Sequence, residues 1–265
     1  MRDIIGFFDS GVGGLSVLHT ARRVLPRENF LYLGDNGHAP YGTKTLEEIR
    51  SLTASGIASL LSRDVKAIVI ACNTATSAYA EILRSKTDIP IIGMEPAIKP
   101  AQLARRNGSI LALATQATLS LPKFERLMAA YGDGVIPVTG DGFVELVEEN
   151  RMDTAEAFEV IHNVLSPFLT QSIDSIVLGC THYPFLIRSI RKCFPSVAIH
   201  DGRLGTALQL KRLLENRGLL TDGNTGSVVL ETTGGAKTLS LMQTLLNYLD
   251  HHEKDSNNYT QPPRI

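Results

Sequence analysis

Residues 64–94, DVKAIVIACNTATSAYAEILRSKTDIPIIGM, and residues 172–202, SIDSIVLGCTHYPFLIRSIRKCFPSVAIHDG, share one layout. Each has a short apolar run, a small residue, a cysteine, a polar pair, a helix-like stretch and a second apolar run. Cys72 and Cys180 hold the same place, 108 residues apart. Upstream, IIGFFDSGVGGLSVL (4–18) and ILALATQATLSL (110–121) each pass from apolar run to polar turn to helix, about 105 residues apart. This internal repeat predicts two α/β units related by approximate two-fold symmetry.

The rest of the chain fits that reading. Apolar runs at 4–8, 30–34, 67–71, 90–94, 109–114, 134–139, 175–179, 197–201 and 227–232 are mostly continuous. Continuous runs mark strands of a parallel sheet covered on both faces. Helical patterns lie between them, among others at 46–63, 122–132, 154–172 and 205–218, with Gly132 and Gly218 at C-cap positions. Alternation of this kind predicts an α/β fold with mainly parallel sheets. The second unit reads as an insertion: 97–207 within a first domain made of 1–96 plus 208–265, with about 250–265 a polar tail. Loops at the carboxyl ends of the strands would then meet at a cleft between the two units.

Composition narrows the function. The chain has 265 residues, 43% of them hydrophobic and 20% charged, with a net charge of −1. Such a balance, with no dense basic block, argues against nucleic acid or an anionic membrane as partner. No apolar run reaches the roughly 20 residues of a membrane span, and the N-terminus lacks the pattern of a signal peptide. Cys72, Cys180 and Cys193 are odd in number and widely spaced, which fits reduced thiols in a cytoplasmic protein better than a disulfide framework.

Two matched thiols on opposite walls of a cleft suit proton transfer at opposite faces of one carbon. One removes a proton and the other delivers one. Cys193 has no polar company, reads as mid-helix and is assigned to core packing. If a helix starts just after each active cysteine, its free N–H groups lower the thiol pKa and bind a carboxylate, with Asn73, Thr74 and Thr181 at the caps. Asp9, at the end of the first run, suits an ammonium group or a proton held near a thiol. In DSGVGG (9–14) the glycines allow close backbone approach, but Gly11, Gly13 and Gly14 do not form a nucleotide fingerprint. GDNGHAPYG (34–42) is a polar turn in which Pro40-Tyr41-Gly42 presents backbone amides. Glu145, Glu148 and Glu149 lie on one short helix, where acids are most often solvated. No lysine setting suggests pyridoxal chemistry. Cys72, Cys180 and His182 would leave a structural zinc short of a fourth ligand.

DSGVGGLSVL, LGDNGHAPYGTKT, IVIACNTATS, MEPAIKPA and VLGCTHYPFL together resemble the motifs of the glutamate racemases, in the aspartate/glutamate racemase superfamily, from about residue 4 to about 249. The resemblance implies a cofactor-independent isomerase that interconverts L- and D-glutamate and supplies D-glutamate for peptidoglycan. It implies Cys72 and Cys180 as acid/base residues, Asp9 and His182 as their proton-handling partners, and Glu148 as an acid assisting near His182. Ser10, Tyr41, Gly42, Asn73, Thr74, Thr118 and Thr181 would bind substrate, with Pro40 fixing the turn and Asp9 and His182 also in reach. No metal is expected, the partner is the small-molecule substrate, and a homodimer stays open.

The chain departs from the family pattern in three places. Gly37 and His38 stand where many relatives have Ala-Arg, and both VTGDGFVELVEEN (138–150) and HDGRLGTALQL (200–210) are imperfect matches. The chain begins almost at its first strand, so activation by a cell-wall precursor through an N-terminal extension is not expected. Three rival readings are an aspartate racemase of the same superfamily, a cysteine hydrolase with His182 as base, and a non-catalytic amino-acid-binding protein. The duplicated cysteine speaks against the last two.

Overall fold

The computed structural model describes residues 3–223 and 225–252. From residue 253 the expected polar tail lies outside the described residues, while 250 and 251 close the last helix. The first half runs β1 (Ile4–Asp9), α1 (Leu15–Val24), β2 (Asn29–Gly34), α2 (Leu46–Leu61), β3 (Ala67–Ile70), α3 (Asn73–Arg84), β4 (Ile91–Gly93) and α4 (Ile98–Ala104). Then come β5 (Ser109–Ala114), α5 (Gln116–Leu119), α6 (Pro122–Tyr131), β6 (Val135–Thr139), α7 (Phe143–Glu148), α8 (Ala155–Leu165) and β7 (Ile173–Leu178). The chain closes with α9 (Ile187–Cys193), β8 (Ala198–Asp201), α10 (Arg203–Asn216), β9 (Val228–Thr232) and α11 (Ala236–His251). Every apolar run read as a strand forms one.

Two parallel sheets result, in the orders β4-β3-β1-β2-β9 and β6-β5-β7-β8. Counted within each sheet, the core order is the same: fourth, third, first, second. Connections from the first strand leave in opposite directions, so each sheet has a switch point between its first and third strands. In one sheet that crevice lies between β1 and β3, in the other between β5 and β7. The central strands are buried on both faces, as their unbroken apolar runs require. Edge strands β6 and β9 are half-exposed, and Pro137 sits in β6, where a missing N–H is tolerated.

Helix ends follow local chemistry. Thr45 and Glu48 form a reciprocal cap that starts α2. The helix expected over 154–172 stops at Leu165 and tightens into a single 3₁₀ turn, Ser166–Phe168, because Pro167 cannot continue the α-helical ladder. Gly218 follows α10 with φ +63°, the left-handed C-cap geometry, whereas Gly132 caps α6 at φ −85° and needs no such freedom. Cys193 is the last residue of α9, not a mid-helix position, and is half-buried against the core. Among the described residues no helix is long and apolar enough to cross a membrane.

Candidate active site

Both cysteines leave their sheets at the switch points by the same step. The N–H of Ala71 bonds the carbonyl of Phe8 (2.8 Å), and the N–H of Gly179 bonds that of Leu113 (2.6 Å). Each bond extends the ladder by one residue, and the next residue is the thiol. Cys72 and Cys180 are 5% and 7% exposed, and both line one cavity of about 20 Å³. That volume is about the room a water or two needs. Ser10, Pro40, Tyr41, Gly42, Asn73, Thr74, Thr118, Glu148, Thr181 and His182 also line it, so twelve positions read from sequence converge here, the two cysteines included. Asp9 does not line it. Ala39, Thr115, Val144 and Gly179 line it too and were not foreseen. Thr115 had a signal: it follows β5 as Ser10 follows β1.

Around Cys72 the sulfur itself caps α3, accepting the N–H of Ala75 at 3.4 Å, with Ser10 Oγ also at 3.4 Å. Behind it lies Asp9, fully buried, whose Oδ1 takes the N–H of Gly11 (2.8 Å) and Oδ2 the hydroxyl of Thr181 (3.1 Å). Burial pushes the Asp9 carboxyl up, against the pull of His182 and those two donors. The expectation that the helix terminus lowers the thiol pKa fails at Cys72. Burial, then the Asp9 charge, push it up to about 12, and the bonds from Ser10 and Ala75 offset only part.

No α-helix starts directly after Cys180. The N–H of Tyr183 bonds the Cys180 carbonyl at 3.2 Å, and a 3₁₀ turn over Tyr183–Leu186 precedes α9. Pro184 explains this, since it has no N–H to give the Cys180 carbonyl the bond an α-helix would need. In place of a helix terminus stands a side-chain relay. Cys180 Sγ lies 3.7 Å from His182 Nδ1, and His182 Nε2 lies 2.7 Å from Glu148 Oε1. Burial alone would push the imidazole down, but Cys180 and Glu148 hold it well above the usual histidine range. Glu148 also accepts the N–H of Val12 (2.9 Å) and the amide of Asn36 (3.0 Å). Against the upward push of burial, these donors and His182 keep it below its usual range. Glu145 and Glu149 are exposed, and Glu149 pairs with Arg151.

The glycines of DSGVGG make room for Glu148 and His182. A Cβ on Gly11 would run into Glu148 Oε1, and one on Gly13 into His182 Nδ1. Hydroxyl and amide side chains also line the walls. Thr74 bonds Thr118 (2.9 Å) and Thr115 (3.3 Å) across the cavity, and Tyr41 donates to Asp35 Oδ2 (2.6 Å). Asn73, 2% exposed, has neither side-chain N nor O hydrogen-bonded within the protein. Such a buried amide costs on the order of 1–3 kcal/mol unless something pairs with it. Among the described residues no group of three or more His, Cys, Asp or Glu is placed to hold a metal ion.

The chain that builds this site matches a known family. Residues 16–207 match the model of the Asp/Glu/Hydantoin racemases, and the chain belongs to this family; it is an isomerase. Among its relatives, the glutamate racemase of Clostridium botulinum (strain Alaska E43) is 44% identical over 91% of this chain and 96% of that protein. The fold is similar to that of the Thermus thermophilus glutamate racemase, solved with β-chloro-D-alanine (38% identity, TM-score 0.77, 92% and 93% of the two chains). It is also similar to the Escherichia coli enzyme solved with L-glutamate and the activator UDP-MurNAc-ala (29% identity, TM-score 0.83, 94% and 95%).

Proposed function

We propose that this chain interconverts L- and D-glutamate without a cofactor, using Cys72 and Cys180 as the two proton carriers, and supplies D-glutamate for peptidoglycan in the cytoplasm. The observation that carries the reading is the pair of thiols at equivalent strand ends lining one cavity. The relatives' names supply glutamate as substrate. In this reading residues 97–207 form a second domain inserted between 1–96 and 208–265, and each domain contributes one thiol.

The α-proton of an amino acid is far less acidic than a thiol, so the site must stabilise the carbanion. The amino end of α3, beginning at Asn73, offers N–H groups and dipole to the α-carboxylate. The Asn73 amide, free of protein partners, would pair with substrate, as would Ser10, Thr74, Thr118, Thr181 and the turn at Pro40-Tyr41-Gly42. Asp9 is walled off from the cavity, so its role is to keep the Cys72 proton in place rather than to bind the ammonium group directly. Cys72 therefore rests as a thiol, the form that delivers a proton. Cys180 exchanges its proton through His182 Nδ1, with Glu148 holding the far nitrogen. A turnover moves one proton from Cα to one sulfur and another from the opposite sulfur to the other face of Cα. The reverse turnover swaps the roles.

Chiral chromatography with pure L-Glu, D-Glu, L-Asp and D-Asp, with no added cofactor, tests this reading. Glutamate should racemise from both sides. Aspartate should fall behind by at least about tenfold in kcat/KM, since a lost methylene and a misplaced second carboxylate both weaken transition-state binding. Equal rates for the two amino acids, or activity that returns only with pyridoxal phosphate or zinc after dialysis, would reject it.

A further inference from the structure

Asn36 stands outside the cavity, yet it touches the wall that carries Cys180. We propose that Asn36 is a positioning residue for the Cys180 relay: its side-chain amide fixes the orientation of the Glu148 carboxylate that grips His182 and keeps that carboxylate unprotonated. The inference rests on the reading of Cys180 as one of two proton carriers.

Its geometry is specific. Asn36 follows β2, beside the end of β9, where Gly34 pairs with Thr232. The Thr232 hydroxyl accepts the N–H of Gly234 at 2.9 Å and donates its own proton to Asn36 Oδ1, also at 2.9 Å. With its oxygen so engaged, the amide must turn Nδ2 toward Glu148 Oε2, 3.0 Å away. The flipped amide would set an oxygen against a carboxylate. Glu148 thus receives N–H donors on both oxygens: Val12 and His182 on Oε1, Asn36 on Oε2. With donors on both oxygens the carboxylate is favoured in its charged form over its protonated one. It then accepts from His182 Nε2–H, which leaves Nδ1 as the nitrogen that trades a proton with Cys180. Thr232, Asn36, Glu148, His182 and Cys180 form one continuous line from the edge of the first sheet to the second thiol.

The charged and titratable groups that face Glu148 are few. His182 is in contact, Cys180 lies beyond it, and Asp9 and Tyr32 act on it from the first sheet. On α7 itself Glu145 is exposed, and beyond its end Glu149 is exposed and paired with Arg151. Asn36 is thus a neutral donor to Glu148 that no neighbour duplicates on Oε2 among the bonds of the described residues.

The sign of the effect follows. A donor to the ionised form favours it, so its loss lets Glu148 take a proton at higher pH, and a second carboxylate in its place does so more strongly. The test is the pH profile of kcat/KM for glutamate in Asn36→Ala and in the isosteric Asn36→Asp. The acid limb should move to higher pH in Ala and further in Asp. Activity near neutrality should fall by about tenfold in Ala, a loss in the range of one charge-assisted hydrogen bond, and recover as pH rises. In a Glu148→Gln background, Asn36→Ala should add little, because the two share one path. An unmoved acid limb in both variants, or an undiminished Asn36 effect in the Glu148→Gln background, would overturn the inference while leaving the two-thiol reading intact. Racemisation surviving Cys180→Ala would instead remove the reading on which it rests.

Discussion

The two walls of the cavity begin alike and end differently. Each cysteine follows the third strand of a sheet with the same strand order, one residue past a matching backbone bond. After Cys72 the chain enters an α-helix, and the sulfur accepts that helix's own N–H. After Cys180 the chain meets Pro184, a 3₁₀ turn precedes the next α-helix, and a histidine and a glutamate stand beside the sulfur instead. A buried carboxylate stands behind the first sulfur and keeps its proton on. A line of His182 and Glu148 stands beside the second. Duplication of the backbone thus places two thiols at equivalent strand ends, while different side chains surround each of them; in the proposed mechanism these neighbours divide the labour of proton transfer.

Deleting either sulfur is the strongest way to break this comparison. Cys72→Ala and Cys180→Ala should each lower racemisation in both directions by at least about 10³-fold, since every turnover needs one acid and one base. Cys193→Ala, at the far end of α9, should be nearly silent. Steady-state rates from both enantiomers check this, and a variant that spares one direction would show the walls to be independent.

Next in size come the supports of each sulfur. Glu148→Gln should cost about 10²-fold in kcat/KM, because it removes the charge that holds the His182 proton. Asp9→Asn should act on the other wall and in another sense. With the neighbouring negative charge gone, the Cys72 thiol, held at about 12, should titrate lower, and its alkylation by iodoacetamide near neutral pH should speed up by about tenfold. In the unmodified protein that alkylation should keep climbing with pH through the alkaline range, since only the thiolate reacts. A plateau near the ordinary cysteine pKa would contradict the account of Cys72.

Much of this was legible in sequence. Continuous apolar runs gave the strands, because strands covered on both faces have no reason to alternate. The repeat around Cys72 and Cys180 placed both thiols at one cleft, because like strand orders put like positions at like switch points. Two differences also had sequence signals, Pro167 ending α8 and Pro184 preventing a helix after Cys180. Other features had no local signal. Glu148 is one of three acids on a short stretch; the family resemblance named it, and the packing of α7 against the DSGVGG turn supplies the physical reason, by way of Val12 N–H and His182. Asn36 sits in a polar turn and is tied to Glu148 across 112 positions of chain. The upward push on Cys72 also depends on burial and on Asp9, neither of which is visible in the local pattern that suggested the opposite.

The central claim, two opposed proton carriers, is tested most directly by racemisation in D₂O, with deuterium followed separately in the recovered substrate and the product enantiomer at the earliest turnovers. Each thiol carries a single proton, and the delivering sulfur has equilibrated with solvent. The account predicts a product that carries solvent deuterium at Cα from the first turnover, with the remaining substrate still largely protiated. Product that retains a substantial share of the substrate's own proton would mean that one base works on both faces, and would contradict it.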